Sequence, residues 1–379
     1  MFILQIMIVL FATKVAGQLT ARMGQPSVVG KILIGIIIGP AVLGWIEESE
    51  WITVFSQIGV LLLMFLAGLE TNLKDLQSHQ KGALYVAFGG IIVPIVFSYF
   101  GAIVFDFSNV EAIFLGLLLS ATSVSISVQV LRELGWFNSK EGSTLLGAAI
   151  VDDIVVVLLI AVALSVLTGT DANLALVFSK KVIFFILLFI AAKWLIPKWL
   201  HLFTKFRVTE PVLSAGLIIC YGFAYGAEYF GVTGIIGTFF AGLAIAQTTY
   251  KKEIEHKLEP IAYGVFVPFF FVSIGLTVSF EGIQHQLIFL IVFSVLAVVS
   301  KLIGSGIGAK LAGFSPRSLL AIGSGMVSRG EVALILATLG LSGGLLPKDY
   351  YTSIVLVIII TTIVTPLLLK KSLGVRENV

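Results

Sequence analysis

Two adjacent carboxylates, Asp152 and Asp153, stand inside an apolar run, with Ala148-Ala149-Ile150-Val151 before them and Ile154-Val155-Val156-Val157 after. A lone charge at the centre of a bilayer costs at least about 2.5–3.5 kcal/mol on insertion scales, so residues of this kind point to function. Lys301 is similarly deep, between Val298-Val299-Ser300 and Leu302-Ile303-Gly304. Arg329 and Glu331 follow a second interrupted apolar run and complete the charged set. A lysine–aspartate pair alone could be a scaffold ion pair. The second aspartate argues against that reading, because consecutive helical residues point about 100° apart and one ammonium cannot serve both acids well. The other acid must then be protonated, hold a cation or reach water, since burial and its neighbour's charge both disfavour the bare anion. A carboxyl group that is stable either protonated or metal-bound is what ion exchange requires, with a proton and an alkali cation competing for one site.

The surrounding residue types suit a small hard cation. The hydroxyls of Thr122, Ser123 and Ser125, with carbonyls freed by local unwinding, offer oxygen-only coordination. His79, His201, His256 and His285 all fall at loops or span ends, which disfavours a transition-metal carrier. They read as solvated residues, with pH sensing as the alternative. The single cysteine, Cys220, excludes an internal disulfide and a Cys-ligated metal, and its apolar neighbours make it a small packed residue. No cofactor is expected. Lys31, Glu70 and Glu228 lie near span ends, where snorkelling or loop exposure suffices, and Glu111 begins a span.

The elements that must position these groups follow from composition. Of 379 residues, 58% are hydrophobic and 12% charged. Soluble domains carry about 25% charged residues, so water-soluble enzymes, nucleic-acid binders and disulfide scaffolds are excluded together. The expected fold is an all-α polytopic membrane protein, its main partner besides the ion being the lipid bilayer. With about 20 apolar residues needed per crossing, spans are placed near 1–21, 27–44, 51–70, 82–105, 110–133, 142–168, 176–200, 210–228, 231–249, 259–280, 285–311, 317–342 and 349–370, about thirteen in all. The first segment has no basic residue ahead of its apolar run, so it reads as a retained helix and not as a cleavable signal. Alternate loops collect Arg22, Lys74, Lys81, Arg132, Lys140, Lys198, Lys205, Arg207, Lys251, Lys252, Lys257, Lys310, Arg317, Lys370, Lys371 and Arg376, while the others carry Glu47, Glu48, Glu50, Asp106, Asp171, Glu228 and Glu281, with only Lys180, Lys181 and Lys348 as basic loop residues. Basic loops mark the cytoplasmic side, so the N-terminus is expected outside and the C-terminus inside a plasma membrane.

Span order also suggests two related halves. Residues 1–175 form a first six-span repeat with core helices at 82–168, 176–208 a linker helix, and 209–379 a second repeat with core helices at 285–370. One intervening span inverts the second set, the arrangement of an inverted repeat. In the fifth span of each half, small and polar residues interrupt the apolar run: Ser120-Ala121-Thr122-Ser123-Val124-Ser125 and Gly323-Ser324-Gly325-Met326-Val327-Ser328. Paired interruptions in register point to two crossing broken helices around a midplane site. Close helix packing through small residues is the plainer alternative.

At these residues the chain resembles the NapA-type sodium/proton antiporters of the monovalent cation:proton antiporter superfamily. The likeness rests on Gln25-Pro26-Ser27-Val28-Val29-Gly30, Leu63-Met64-Phe65-Leu66-Ala67-Gly68-Leu69-Glu70, Ser120-Ala121-Thr122-Ser123-Val124, Val151-Asp152-Asp153, Phe270-Phe271-Val272-Ser273-Ile274-Gly275, Lys301 and Gly325-Met326-Val327-Ser328-Arg329-Gly330-Glu331. It implies a homodimer with a dimerisation domain beside an ion-carrying core. It implies Asp153 as the carboxylate that binds Na⁺ or a proton, and Asp152 as the partner of Lys301. The double aspartate implies electrogenic Na⁺(Li⁺)/H⁺ exchange, and sporulation, salt tolerance and pH homeostasis are all compatible with it. Ser328 departs from the proline common in that family. A K⁺/H⁺ exchanger on the same scaffold is the nearest rival. An intramembrane aspartyl protease lacks its Tyr-Asp and Gly-x-Gly-Asp contexts here, and a channel lacks a filter loop or repeated pore ring.

Overall fold

The computed structural model describes residues 2–23, 25–168, 174–280 and 283–374, and no strand occurs among them. Helices α1 (Phe2–Arg22), α2 (Ser27–Ile38), α3 (Glu50–Glu70), the short α4 (Leu73–Ser78) and α5 (Gln80–Val104) open the chain. The fifth predicted span is broken into α6 (Asn109–Ser120) and α7 (Val124–Glu133), and α8 (Lys140–Thr168) carries the two aspartates. Next come α9 (Leu174–Ile190) and α10 (Ile196–Phe203), joined through a π-helical turn at Ala191–Leu195. After α11 (Pro211–Tyr229) and α12 (Gly234–Ala246), α13 (Lys251–Ile261) and α14 (Val267–Leu276) are joined by a second π-helical turn, Ala262–Phe266. Last are α15 (Leu287–Leu311), the second broken helix α16 (Pro316–Gly325) with α17 (Glu331–Ser342), and α18 (Tyr351–Leu373).

Each predicted span falls on one helix or one interrupted helix, and nine helical stretches among the described residues are long and apolar enough to cross a bilayer. The boundaries differ where local chemistry intervenes. The second span stops at Ile38, short of residue 44, because Gly39 precedes Pro40 and takes an extended conformation (ψ −177°). Gly231, with φ +72°, turns the chain between α11 and α12. The second interruption lies at residues 326–330, later than the predicted 323–328, since Gly323–Gly325 stay helical. Arg329 is therefore inside the break and does not follow it. Asp171, Glu281 and Arg376, counted among the loop charges, lie outside the described residues, as do the side chains of Glu331 and His285.

By internal contacts the chain forms two compact units. One takes residues up to Glu48, then from Asp75 into α8, then from Phe271 onward; the other takes Ser49–Lys74 and the stretch from α9 to Phe270. Each is held by a glycine-mediated crossing. In the first unit, a Cβ on Gly89 of α5 would lie 2.2 Å from the Gly304 carbonyl oxygen of α15, and one on Gly304 would lie 2.2 Å from that of Gly89. In the second, Gly68 of α3 and Gly242 of α12 bring their backbones equally close to Phe239 and Phe65. Lipid tails give helices no hydrophobic reason to associate, so close backbone approach through glycine supplies the dispersion contact. The first unit also shares an apolar core built from Ile91, Phe114, Leu118, Phe293, Ala297, Leu336 and Ile358, which fixes α6, α15, α17 and α18 around both breaks.

Gly304→Val forces α5 and α15 apart. The expected result is a loss of about 1–3 kcal/mol, typical of overpacked cores, read as a lower melting temperature of the detergent-purified protein.

Candidate ion-binding site

The site is built on carbonyl oxygens that the sequence withholds from helical hydrogen bonding. Pro94 lies within α5 and has no N–H, so the carbonyl of Gly90, four residues earlier, loses its helical donor. At the end of α6, the carbonyls of Leu119 and Ser120 are orphaned because the chain leaves the helix at Ala121. Two fully buried cations take these acceptors. The Lys301 ammonium donates to Gly90 O at 2.7 Å, to Ser120 O at 2.5 Å and to Asp152 Oδ1 at 3.1 Å, using its three hydrogens. The Arg329 guanidinium donates to Leu119 O through Nε (2.8 Å) and Nη2 (2.6 Å), to Ala297 O (3.0 Å) and to Val327 O (3.0 Å). Both positive charges thus sit at the negative end of the half-helix α6, where its dipole favours them.

The two breaks are joined to each other. Ser123 N–H donates to Ser328 O at 2.8 Å, and the Ser328 hydroxyl donates back to Ser123 O at 2.9 Å. The Ser127 hydroxyl donates to Gly325 O, a freed carbonyl at the end of α16, at 2.5 Å, and lies 3.0 Å from the Ser328 hydroxyl. Gly330 leaves room for this arrangement, since a Cβ there would lie 2.5 Å from Ser123 Oγ. Thr362 of α18 donates to the Arg329 carbonyl. The Ser123 carbonyl, expected as a free oxygen ligand, is therefore engaged by Ser328, at the position where the resembling family carries proline.

Among the predicted residues, the structure brings Asp152, Lys301, Arg329 and Thr122 together. Thr122 lies beside the Asp152 carboxyl. Its hydroxyl and Asp152 Oδ2 are both buried, and no group in the protein outside this pair hydrogen-bonds either of them. Asp152 is fully buried and Asp153, the next residue, is 4% exposed and near enough to act electrostatically on Lys301. Ser125 lies in the first turn of α7 and is buried. Lys31 differs from expectation: it is mostly buried, 3.9 Å from Glu133 and 5.7 Å from the Phe271 ring centroid, and is not a loop-exposed lysine. Lys181, read as a loop charge, is buried and donates to Gly231 O. Sequence reading missed Gly90, Ser127 and Thr362. Only the first had a visible signal, a proline in the middle of a long apolar helix. Beside α17 a cavity of about 600 Å³ is lined by Pro40, Glu48, Thr277, Ser279, Thr338 and Tyr351, among others.

Comparison with known proteins adds three findings. The profile of the family described as "Sodium/hydrogen exchanger, transmembrane" matches residues 6–372. The Na⁺/H⁺-K⁺ antiporter GerN of Bacillus cereus is 53% identical over 377 residues, covering 100% of this chain and 97% of that protein. A Na⁺/H⁺ antiporter of Enterococcus hirae is 42% identical over 366 residues, 96% of each chain. Among solved structures, the sodium proton antiporter MjNhaP1 of Methanocaldococcus jannaschii at pH 8 shares the fold with a TM-score of 0.70 at 17% identity, covering 98% of this chain and 96% of that one.

Removing one partner of a buried ion pair leaves the other charge uncompensated, at a cost of about 3–5 kcal/mol. Lys301→Ala should destabilise the purified protein by that amount, and Asp152→Leu combined with Lys301→Met should recover most of it. Thermal unfolding of the wild type and both variants in one detergent checks this.

Proposed function

We infer that this chain, which belongs to the sodium/hydrogen exchanger family and is a monovalent cation:proton antiporter, exchanges Na⁺ or Li⁺ for protons at Asp153. The observation that carries the reading is the division of labour between neighbouring acids. Asp152 hydrogen-bonds the one ammonium, whose two other donors are taken by carbonyls, and Asp153 is the acid with residual exposure. Asp153 releases its proton and takes the cation, the protein changes the side to which the site opens, and a proton from the far side displaces the ion. Thr122 and Ser123 supply further oxygens, with Ser125 and Glu331 as accessory residues and Arg329 as the cation that holds the breaks. A second proton, and with it electrogenic exchange, belongs to the Asp152–Lys301 pair.

The helices act as two inverted six-span repeats about a linker helix in a homodimer of the cell membrane, N-terminus outside. The cavity beside α17 lies on the side of the loops preceding α3, α15 and α18, which is the outer side in this orientation.

K⁺ as a second cargo has specific support, because the Bacillus cereus relative is named for K⁺ as well as Na⁺. Proton flux in proteoliposomes with Na⁺, Li⁺ or K⁺ separates the readings. Asp153→Asn should abolish cation-driven proton movement with every ion, and wild-type exchange by this variant overturns the assignment. Because proton and cation share one carboxylate, the apparent KM for Na⁺ should rise as pH falls while the rate at saturating Na⁺ is preserved. A constant KM across pH argues for separate sites.

A further inference from the structure

Ser125, Gln129 and Glu133 recur every fourth residue on α7, so they form a polar stripe along one face of the half-helix. Ser127, which holds the crossing, points elsewhere. Exposure falls along the stripe from 20% for the Glu133 side chain to 5% for Gln129 and 2% for Ser125. One end therefore meets solvent and the other meets the break at Ala121–Ser123, with successive members about 6 Å apart. Glu133 accepts the Ser27 N–H at 2.7 Å, the Ser27 hydroxyl at 2.5 Å and Gln129 Nε2 at 3.0 Å, and Lys31 Nζ stands 3.9 Å away. With its amide nitrogen turned to Glu133, Gln129 presents a buried carbonyl oxygen that has no hydrogen-bond partner in the protein. Carboxylate, amide carbonyl and hydroxyl are all hard oxygen donors suited to an alkali cation.

We propose that this stripe is a second cation site, a relay that captures the alkali ion at Glu133 and delivers it past Gln129 and Ser125 to the broken helices. Lys31 is the resident counter-charge of the capture site. An arriving cation displaces its ammonium from Glu133, and the face of Phe271, which it already overlies at 5.7 Å in the described state, continues to hold it. The stripe ends on the side opposite the cavity beside α17, so each half of the crossing carries one access route: α17 for the outer face, α7 for the cytoplasmic face. The proposal rests on Asp153 as the transported ion's carboxylate.

The plainer alternative is that Glu133 only ties α2 to α7 by capping Ser27. The two readings predict different signs. For a relay, Glu133→Gln raises the apparent Na⁺ KM about fivefold and Lys31→Gln lowers it by a similar factor, the scale of one partly screened charge a few ångströms from the ion. Both effects appear only when Na⁺ is varied at the cytoplasmic face, compared between inside-out and right-side-out vesicles, and the rate at saturating Na⁺ is kept. A structural tie loses the same ion pair in either variant, so KM moves in the same direction in both, or not at all, and either outcome overturns the proposal. Should Glu133→Gln fail to fold, Gln129→Leu leaves the Ser27 contacts in place and carries the same expected rise. Loss of all exchange in Asp153→Asn tests the transport carboxylate separately, because the stripe variants still exchange at high Na⁺.

Discussion

The ion-binding site depends on buried cations bonding to backbone carbonyls, most of which lack helical donors. Lys301 and Arg329 are fully buried, yet both are ringed by oxygen: three acceptors use every hydrogen of the ammonium, and four of the guanidinium's five N–H groups bond to three carbonyls. Only one of these acceptors, Asp152, bears a formal charge. A helix that ran unbroken through residues 120–124 would take Leu119 O and Ser120 O from these cations, and without the cations the broken end of α6 would keep those carbonyls unsatisfied. The interruption and the charges therefore require one another. This is the physical reason that small polar residues and intramembrane charges occur in the same few spans.

Much of this was legible from residue types. Apolar run lengths located the spans, because hydrocarbon thickness imposes a length on any crossing segment. The charges inside those runs located the site, because they are costly wherever they lack partners. The Ser120–Ser125 interruption was correctly positioned because a run of small polar residues, poorer helix formers than Leu or Ala, breaks the apolar pattern there. The second interruption was set too early, because glycines that look like breakers at 323 and 325 are close-contact positions against Leu302 and Leu145 and remain helical.

What sequence could not disclose was partnership across the fold. Nothing in the local pattern tells Ser328 to bond Ser123, or Thr362 to reach the Arg329 carbonyl, since both depend on which helices cross. The same limit hid Lys31 and Lys181. Each was assigned to a span end by its neighbours, whereas each has a fixed partner far away in the chain, Glu133 for one and the Gly231 carbonyl for the other. Long side chains near helix ends are ambiguous for this reason: their reach allows either a snorkelling or a buried conformation.

Pro94 has a further consequence. A proline ring cannot regain an N–H, so the oxygen it exposes on Gly90 is an invariant of the covalent chain and not of any one conformation. Part of the seat of Lys301 thus survives any change in the protonation of Asp152 and any swing of the half-helices. The lysine is anchored to α5 as a pivot, and the acids of α8 are what change around it.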